Sequence, residues 1–235
     1  MFIYLKKSAD AAGYRYLIKK VELPGGFYFE ISFPKTPSAR LVKSAVKRCS
    51  GKHTIPIASS GITLPQKLEF LQISGAGYNR ILNINAFARV SKGNKKALVI
   101  DKNGILSDII SPVLSRVGEL YVVTENALRY ESVAKNNLCL VGSSAVILNS
   151  IPSDYFPTVF CADECGSINC GMRFGAGGIN ICGDKVTSNG KTFDRALMTA
   201  LYCCANDRRA TNCMPVFLTD GKQNFSLDTL CRITV

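Results

Sequence analysis

The sequence predicts an α/β protein: a mostly parallel sheet in the C-terminal part, preceded by a smaller basic α/β domain. Three observations carry this. Residues 97–100 (Ala-Leu-Val-Ile) are an apolar run of the kind that makes a buried strand, and 120–124 is a second. Between them Ile105, Ile109, Ile110, Val113, Leu114 and Val117 recur at helical spacing, so strand, tight turn, helix and strand follow within about thirty residues as a βαβ unit. Charge is also unevenly distributed. Residues 1–96 hold 17 Lys+Arg against 4 Asp+Glu, and 97–235 hold 12 against 13, so the whole net charge of +12 comes from the first part. A chain of 235 residues accommodates two domains, and the charge divides it into a basic domain over 1–95 and an α/β domain over 96–235.

Along the N-terminal part, 14–23 and 27–33 read as strands joined through Pro24-Gly25-Gly26, a strong turn signal. The second alternates Phe27, Phe29, Ile31 and Phe33 against Tyr28, Glu30 and Ser32, which predicts one buried face. Thr36-Pro37 opens a helix over 38–49 with Leu41, Val42 and Ala45 inward and Arg40, Lys43, Lys47 and Arg48 outward. Residues 53–58 read as a strand and 64–71 as a short helix. The stretch 81–90 fits alternation and helical spacing about equally, and a helix running into Ser91-Lys92-Gly93-Asn94 is preferred. Farther on, 127–136 is a helix, 139–141, 145–149 and 158–161 are strands, and 193–206 is the last clear helix. Near-continuous apolar strands alternating with helices favour a parallel sheet covered on both faces.

Several classes are disfavoured. No run approaches the roughly 20 apolar residues of a membrane span, and the first residues lack the apolar core and cleavage site of a signal peptide. Ten cysteines without an export signal point to reduced thiols in the cytoplasm, mostly packed as small hydrophobes. Cys161, Cys165, Cys170, Cys182, Cys203 and Cys204 lack the C-x-x-C pairing of a zinc site, and the C-x3-C-x4-C run misses radical iron–sulfur spacing. No metal is therefore expected. His53 is the sole histidine, which excludes His-pair metal sites.

From Ala97 to about Asp163 the chain resembles the nicotinamide-binding, Rossmann-like domain of the shikimate dehydrogenase and dipicolinate synthase type. Val146-Ile147-Leu148-Asn149-Ser150-Ile151-Pro152 resembles that group's later strand with its Asn and Pro, and Glu125, 21 residues beyond Gly104, stands where an acidic residue would accept from a ribose hydroxyl. The resemblance implies a ligand at the carboxyl ends of the strands. It breaks at the glycine-rich turn, where the G-x-G-x-x-G positions are Asp101, Asn103 and Leu106 and Gly104 alone remains. Asp101 would also set a carboxylate against a pyrophosphate, a repulsion of about 4 kcal/mol at 4 Å and an effective dielectric near 20.

The same segment resembles the first motif of haloacid-dehalogenase-type phosphatases, with Asp101 as nucleophile and Thr124 in the second motif. The acid/base position, however, holds Asn103, which transfers no proton. Gly175-Ala176-Gly177-Gly178 leads into a strand-like run rather than a helix, and Gly190-Lys191-Thr192 lacks the glycine of a phosphate loop, Lys185 standing in its place.

These residues point to a cytoplasmic protein with a degenerate Rossmann-like domain that binds a small ligand or a partner rather than catalysing. The candidate site is Asp101, Lys102, Asn103, Gly104, Thr124, Glu125, Ser150 and Pro152. No cofactor is expected, NAD and NADP being disfavoured by the turn. The alternatives are an oxidoreductase holding a nicotinamide cofactor unusually, and a protein that binds nucleic acid or an acidic partner through its basic N-terminal domain.

Overall fold

The computed structural model describes residues 1–51, 53–65, 71–141 and 145–233. In chain order the elements are β1 (Phe2–Lys7), β2 (Leu17–Leu23), β3 (Gly26–Phe33), α1 (Ala39–Ser50), β4 (Pro56–Ser59), β5 (Leu71–Gln72), α2 (Ala76–Val90) and β6 (Lys96–Ile100). They continue with α3 (Ser111–Leu114), β7 (Glu119–Val123), α4 (Ala127–Val141), β8 (Ala145–Leu148), β9 (Phe156–Cys161), β10 (Cys170–Gly175) and β11 (Asn180–Ser188). The last are β12 (Lys191–Asp194), α5 (Arg195–Ala205), α6 (Arg208–Thr211), β13 (Met214–Thr219), β14 (Asn224–Ser226) and α7 (Leu227–Ile233). No helix among the described residues is long and apolar enough to cross a membrane.

Two compact units emerge, and the chain passes between them three times. One comprises Met1–Tyr78 and Asp184–Asn212, the other Asn79–Gly183 and Cys213–Val235. The sequence reading divided the chain once, between 95 and 96; in space α2 joins the second unit, and the segment with β12, α5 and α6 returns to the first.

The first unit is built on the sheet β2-β3-β1-β4-β5. Its centre is β1, which has no polar face: Ile3 and Leu5 pack with Val42, Ala45 and Val46 of α1, while Phe2 stacks on Tyr28 at 4.8 Å. Tyr28 and Ser32 are buried along with Ile31 and Phe33, so β3 buries residues on both of its faces rather than on one. Ser38, not Thr36, caps α1 by accepting the Leu41 N–H. Asp194 caps α5, accepting from Ala196 and Leu197 N–H, and also accepts from the Ser60 hydroxyl. The helix expected over 64–71 lies largely outside the described residues; 71–72 is strand β5.

In the second unit the sheet runs β10-β9-β6-β7-β8 with every neighbouring pair parallel. Read from β8 this is the order 3-2-1-4-5 of a Rossmann-like fold. One face, with Ala97, Val99, Leu120, Val122 and Phe160, packs against Phe87 of α2, Val113 and Leu114 of α3, Tyr130 of α4 and Leu230 of α7. The opposite face, with Leu98, Ile100, Val159 and Cys161, is packed by Cys165 and Ile168 of the β9–β10 connection and by Ala176 after β10, so both faces are covered, this one among the described residues by connecting segments rather than helices.

Two expected elements differ. The helix over 105–117 is a 3₁₀ turn at Ser107–Ile109 followed by the single turn α3, which Pro112 enters in its first turn. The strand over 139–141 is the end of α4, since the apolar run continues that helix.

Gly175 shows how closely the helix-free face is packed. Its φ is +80°, and a Cβ there would collide with the Cys161 carbonyl oxygen. Gly175→Ala should lower stability in urea denaturation by more than about 2 kcal/mol, whereas Gly221→Ala, at φ +89° with nothing nearby, should cost about 1 kcal/mol.

Candidate functional site

The strand order creates a switch point at β6: its successors β7 and β8 lie on one side, β9 and β10 on the other. In open parallel sheets ligands bind beyond the carboxyl ends of the strands at such a point. Here that place is bordered by the 101–104 turn after β6 and by Ala162-Asp163 after β9.

Asp101 is completely buried and its carboxylate is fully engaged. Oδ1 accepts the Ile105 N–H at 3.0 Å, and Oδ2 accepts the Leu106 N–H at 2.8 Å and the Tyr130 hydroxyl at 2.6 Å. In a dinucleotide-binding turn, backbone N–H groups at this place aim at the pyrophosphate. In this chain the anion they meet is a side chain of the turn itself. The sequence reading gave Asp101 the role of repelling phosphate; the geometry gives it the phosphate's hydrogen bonds.

Asp163 closes the other side. It accepts the Lys102 N–H at 3.1 Å and the Asn103 amide at 3.4 Å, bridging β9 to the turn of β6. The Lys102 carbonyl in turn accepts from the Glu125 N–H at 3.1 Å and, at 3.4 Å each, from the Thr124 hydroxyl and the Asn126 amide. Buried Thr124 also accepts the Asn126 N–H at 3.0 Å, so one hydroxyl ties the end of β7 to the start of α4. Gly104 has φ +67°, and a Cβ there would come within 3.0 Å of both Arg129 Cδ and Asn126 Cβ. The one glycine kept in the turn is required by the packing of α4.

The expected residues therefore fall into two groups. Asp101, Lys102, Asn103, Gly104, Thr124 and Glu125 come together, although Glu125 is exposed and contributes its backbone N–H. Ser150 and Pro152 follow β8, the outermost strand, with β7 between it and β6; β8 ends beside Thr124, whose N–H donates to the Leu148 carbonyl at 3.1 Å. β6 lies between β7 and β9, and β8, which carries Val146–Leu148, pairs with β7. Sequence reasoning missed Tyr130, Asn126, Arg129 and Asp163. Asp163 had one visible signal, an acid directly after an apolar strand.

Other expected motifs resolve structurally. With no exposed surface and both oxygens occupied, Asp101 is denied the attack that a phosphatase nucleophile makes. The 175–178 glycines wrap the Arg173 side chain, and Asn180, itself held by Asn83, donates to the Gly175 and Gly178 carbonyls. Asn189 and Gly190, with φ 49° and 74°, form the tight turn of the β11–β12 hairpin.

The cysteines are less buried than expected. Among those described Cys161 and Cys213 are buried, Cys203 is exposed and the rest are intermediate; none of them forms a disulfide. Burial first, and then a hydrogen bond with Cys165, pushes the Cys161 thiol up to about 12, against the opposing influence of Arg173. Among the described residues no three His, Cys, Asp or Glu side chains converge as metal ligands.

No family model matches the chain, and no curated protein matches it significantly. Among solved structures it is similar to L-tryptophan dehydrogenase from Nostoc punctiforme, at 14% identity and a TM-score of 0.26, over 58% of this chain and 42% of that one. The chain thus spans less than half the length of that protein. The α/β class with a parallel five-stranded, Rossmann-like sheet rests on the strand order itself.

Burial, and then the bond to Asp101, raises Tyr130 well above the ordinary phenol value of 10.0. Tyr130→Phe should cost about 1.5–3 kcal/mol at neutral pH, as loss of a hydrogen bond to a charged group. A raised folded value means that this contribution is complete below about pH 10 and lost above it. The difference between wild type and variant, followed by urea denaturation, should shrink by roughly 1.4 kcal/mol per pH unit above that point.

Proposed function

We propose that the switch point of this protein binds rather than transforms, its Rossmann-like unit acting there as a scaffold whose nucleotide turn is filled from within. The observation that carries this reading is the Asp101 carboxylate on the Ile105 and Leu106 N–H groups. A dinucleotide would have to displace a buried carboxylate from three donors, and the residues present do not fit that cofactor. The finer likeness to shikimate dehydrogenase and dipicolinate synthase is then one of scaffold without cofactor chemistry. Space for a small ligand lies in the first unit, where Leu23, Tyr28, Phe193, Leu197 and Leu201 line a cavity of about 480 Å³ with Lys191 and Glu22 among its walls. That volume is within the usual range for ligand pockets. Calorimetric titration with NAD and NADP to millimolar concentration should give no saturable heat. Micromolar binding that Lys102→Glu or Gly104→Val abolishes would instead establish the oxidoreductase reading.

A second reading, binding of nucleic acid or another polyanion, has its own support. The first unit carries 17 Lys+Arg against 7 Asp+Glu, the second 12 against 10. Arg40, Lys43, Lys47 and Arg48 are exposed on α1, a helix with no acidic residue. Phosphate contacts release counterions, so affinity falls linearly with salt on a log–log plot. For the full chain on duplex DNA, each of Arg40→Gln, Lys43→Gln and Lys47→Gln should reduce that slope by about one. An absence of binding at low salt, or variants with unchanged slopes, would remove this reading.

A further inference from the structure

The helix-free face of the second unit carries two cysteines in contact at the end of β9. Cys161, the last residue of β9, and Cys165 approach to 3.3 Å between sulfurs. Arg173 faces them from β10: one Nη2 donates to Cys165 Sγ at 3.2 Å and to the Cys165 carbonyl at 3.2 Å. Its Nε donates to the Ala176 carbonyl at 3.0 Å and Nη1 to that of Gly166 at 3.4 Å, so the guanidinium is held in place by backbone. Cys161 is 1% exposed, whereas Cys165 is partly open to solvent.

We propose that Cys161 and Cys165 form a thiol–disulfide exchange site for small-molecule disulfides, with Cys165 as the attacking and Cys161 as the resolving thiol. The division of labour follows from access and charge. The Cys165 sulfur accepts a hydrogen bond from a guanidinium held in place, and Cys165 is the member of the pair that a reagent can reach. Burial raises the Cys161 thiol, which keeps it protonated until its partner is engaged.

In the first step the Cys165 sulfur, having released its proton to solvent, attacks one sulfur of the disulfide RSSR. A Cys165–S–S–R bond forms, the RS–SR bond breaks and RS⁻ departs. That thiolate takes the proton of Cys161. The Cys161 sulfur then attacks Cys165 Sγ, forming the Cys161–Cys165 bond and expelling a second RS⁻, which takes up the proton released at the start. Two protein thiols are oxidised and one disulfide is reduced to two RSH.

The bond would span 162–164 and hence the segment carrying Asp163, whose carboxylate holds Lys102 and Asn103. The thiol state would thus be coupled to the clamp across the switch point. Among the described residues no third His, Cys, Asp or Glu joins the two sulfurs as a metal ligand, and a pair of sulfurs suits this chemistry better than a metal.

The test uses the full, reduced chain exposed to oxidised glutathione at pH 7, with sequential alkylation and peptide mapping. The expected product is an internal Cys161–Cys165 disulfide. Cys161→Ser should stop at a glutathione adduct on Cys165, and Cys165→Ser should leave Cys161 reduced. In the wild type, Cys165 should react about tenfold faster than exposed Cys203, an advantage that Arg173→Gln removes. Reaction of Cys165 no faster than Cys203, or adducts that accumulate without the internal bond, would overturn the proposal, and neither reading depends on a variant folding.

Discussion

The second unit is organised by one buried carboxylate. Parallel strands feeding helical segments leave N–H groups unsatisfied at each strand-to-helix turn, and these groups attract an anion. Here Asp101 supplies it from within, and Tyr130 ties α4 to one of its two oxygens, Oδ2. Because Ile105 and Leu106 are fixed by their N–H groups, the chain enters a 3₁₀ turn there rather than a long helix. That sets Leu106, Ile110 and Val113 into the core beside Val99 and Val122. Strand β6, the turn and α4 are thereby one construction, and it leaves no free amide for a phosphate at Ile105 or Leu106.

A second acid extends the same logic across the sheet. Asp163, at the end of β9, takes the Lys102 N–H, so the switch point is closed by carboxylates from both of its strands. The helices α2, α3, α4 and α7 pack on one face. The other face is covered by the segment with Cys165, Ile168 and Cys170, which Arg173 and the glycine turn hold down. On this side β9 and β10 bring Cys161, Arg173 and Asp163 close to the rim of the crevice, with Cys165 against Cys161.

Much of this was legible in the chain. Residues 97–100, 120–123 and 158–161 are strands buried on both faces, and continuous apolar runs declare such strands directly. The 105–117 run misled because apolar residues three and four apart satisfy a 3₁₀ turn followed by one α-turn as well as a long helix. The 139–141 run misled because three apolar residues do not distinguish a strand from the end of a helix. β1 has apolar residues on both faces and so shows no alternation. The Asp101 turn was visible as the place to look, but not the direction of its carboxylate, which depends on Tyr130 from the next helix. Asp163 was out of reach of local reading: it lies 61 residues from Lys102, and the parallel pairing of Ile100 with Cys161 is what brings it there.

The central claim is that the Ile105 and Leu106 amides are satisfied by Asp101. Amide hydrogen exchange at those two positions tests it most directly. The account predicts protection comparable to that of the β6 amides and unchanged by millimolar NAD. Exchange at the rate of an open loop, or protection that appears only when NAD is added, would contradict it.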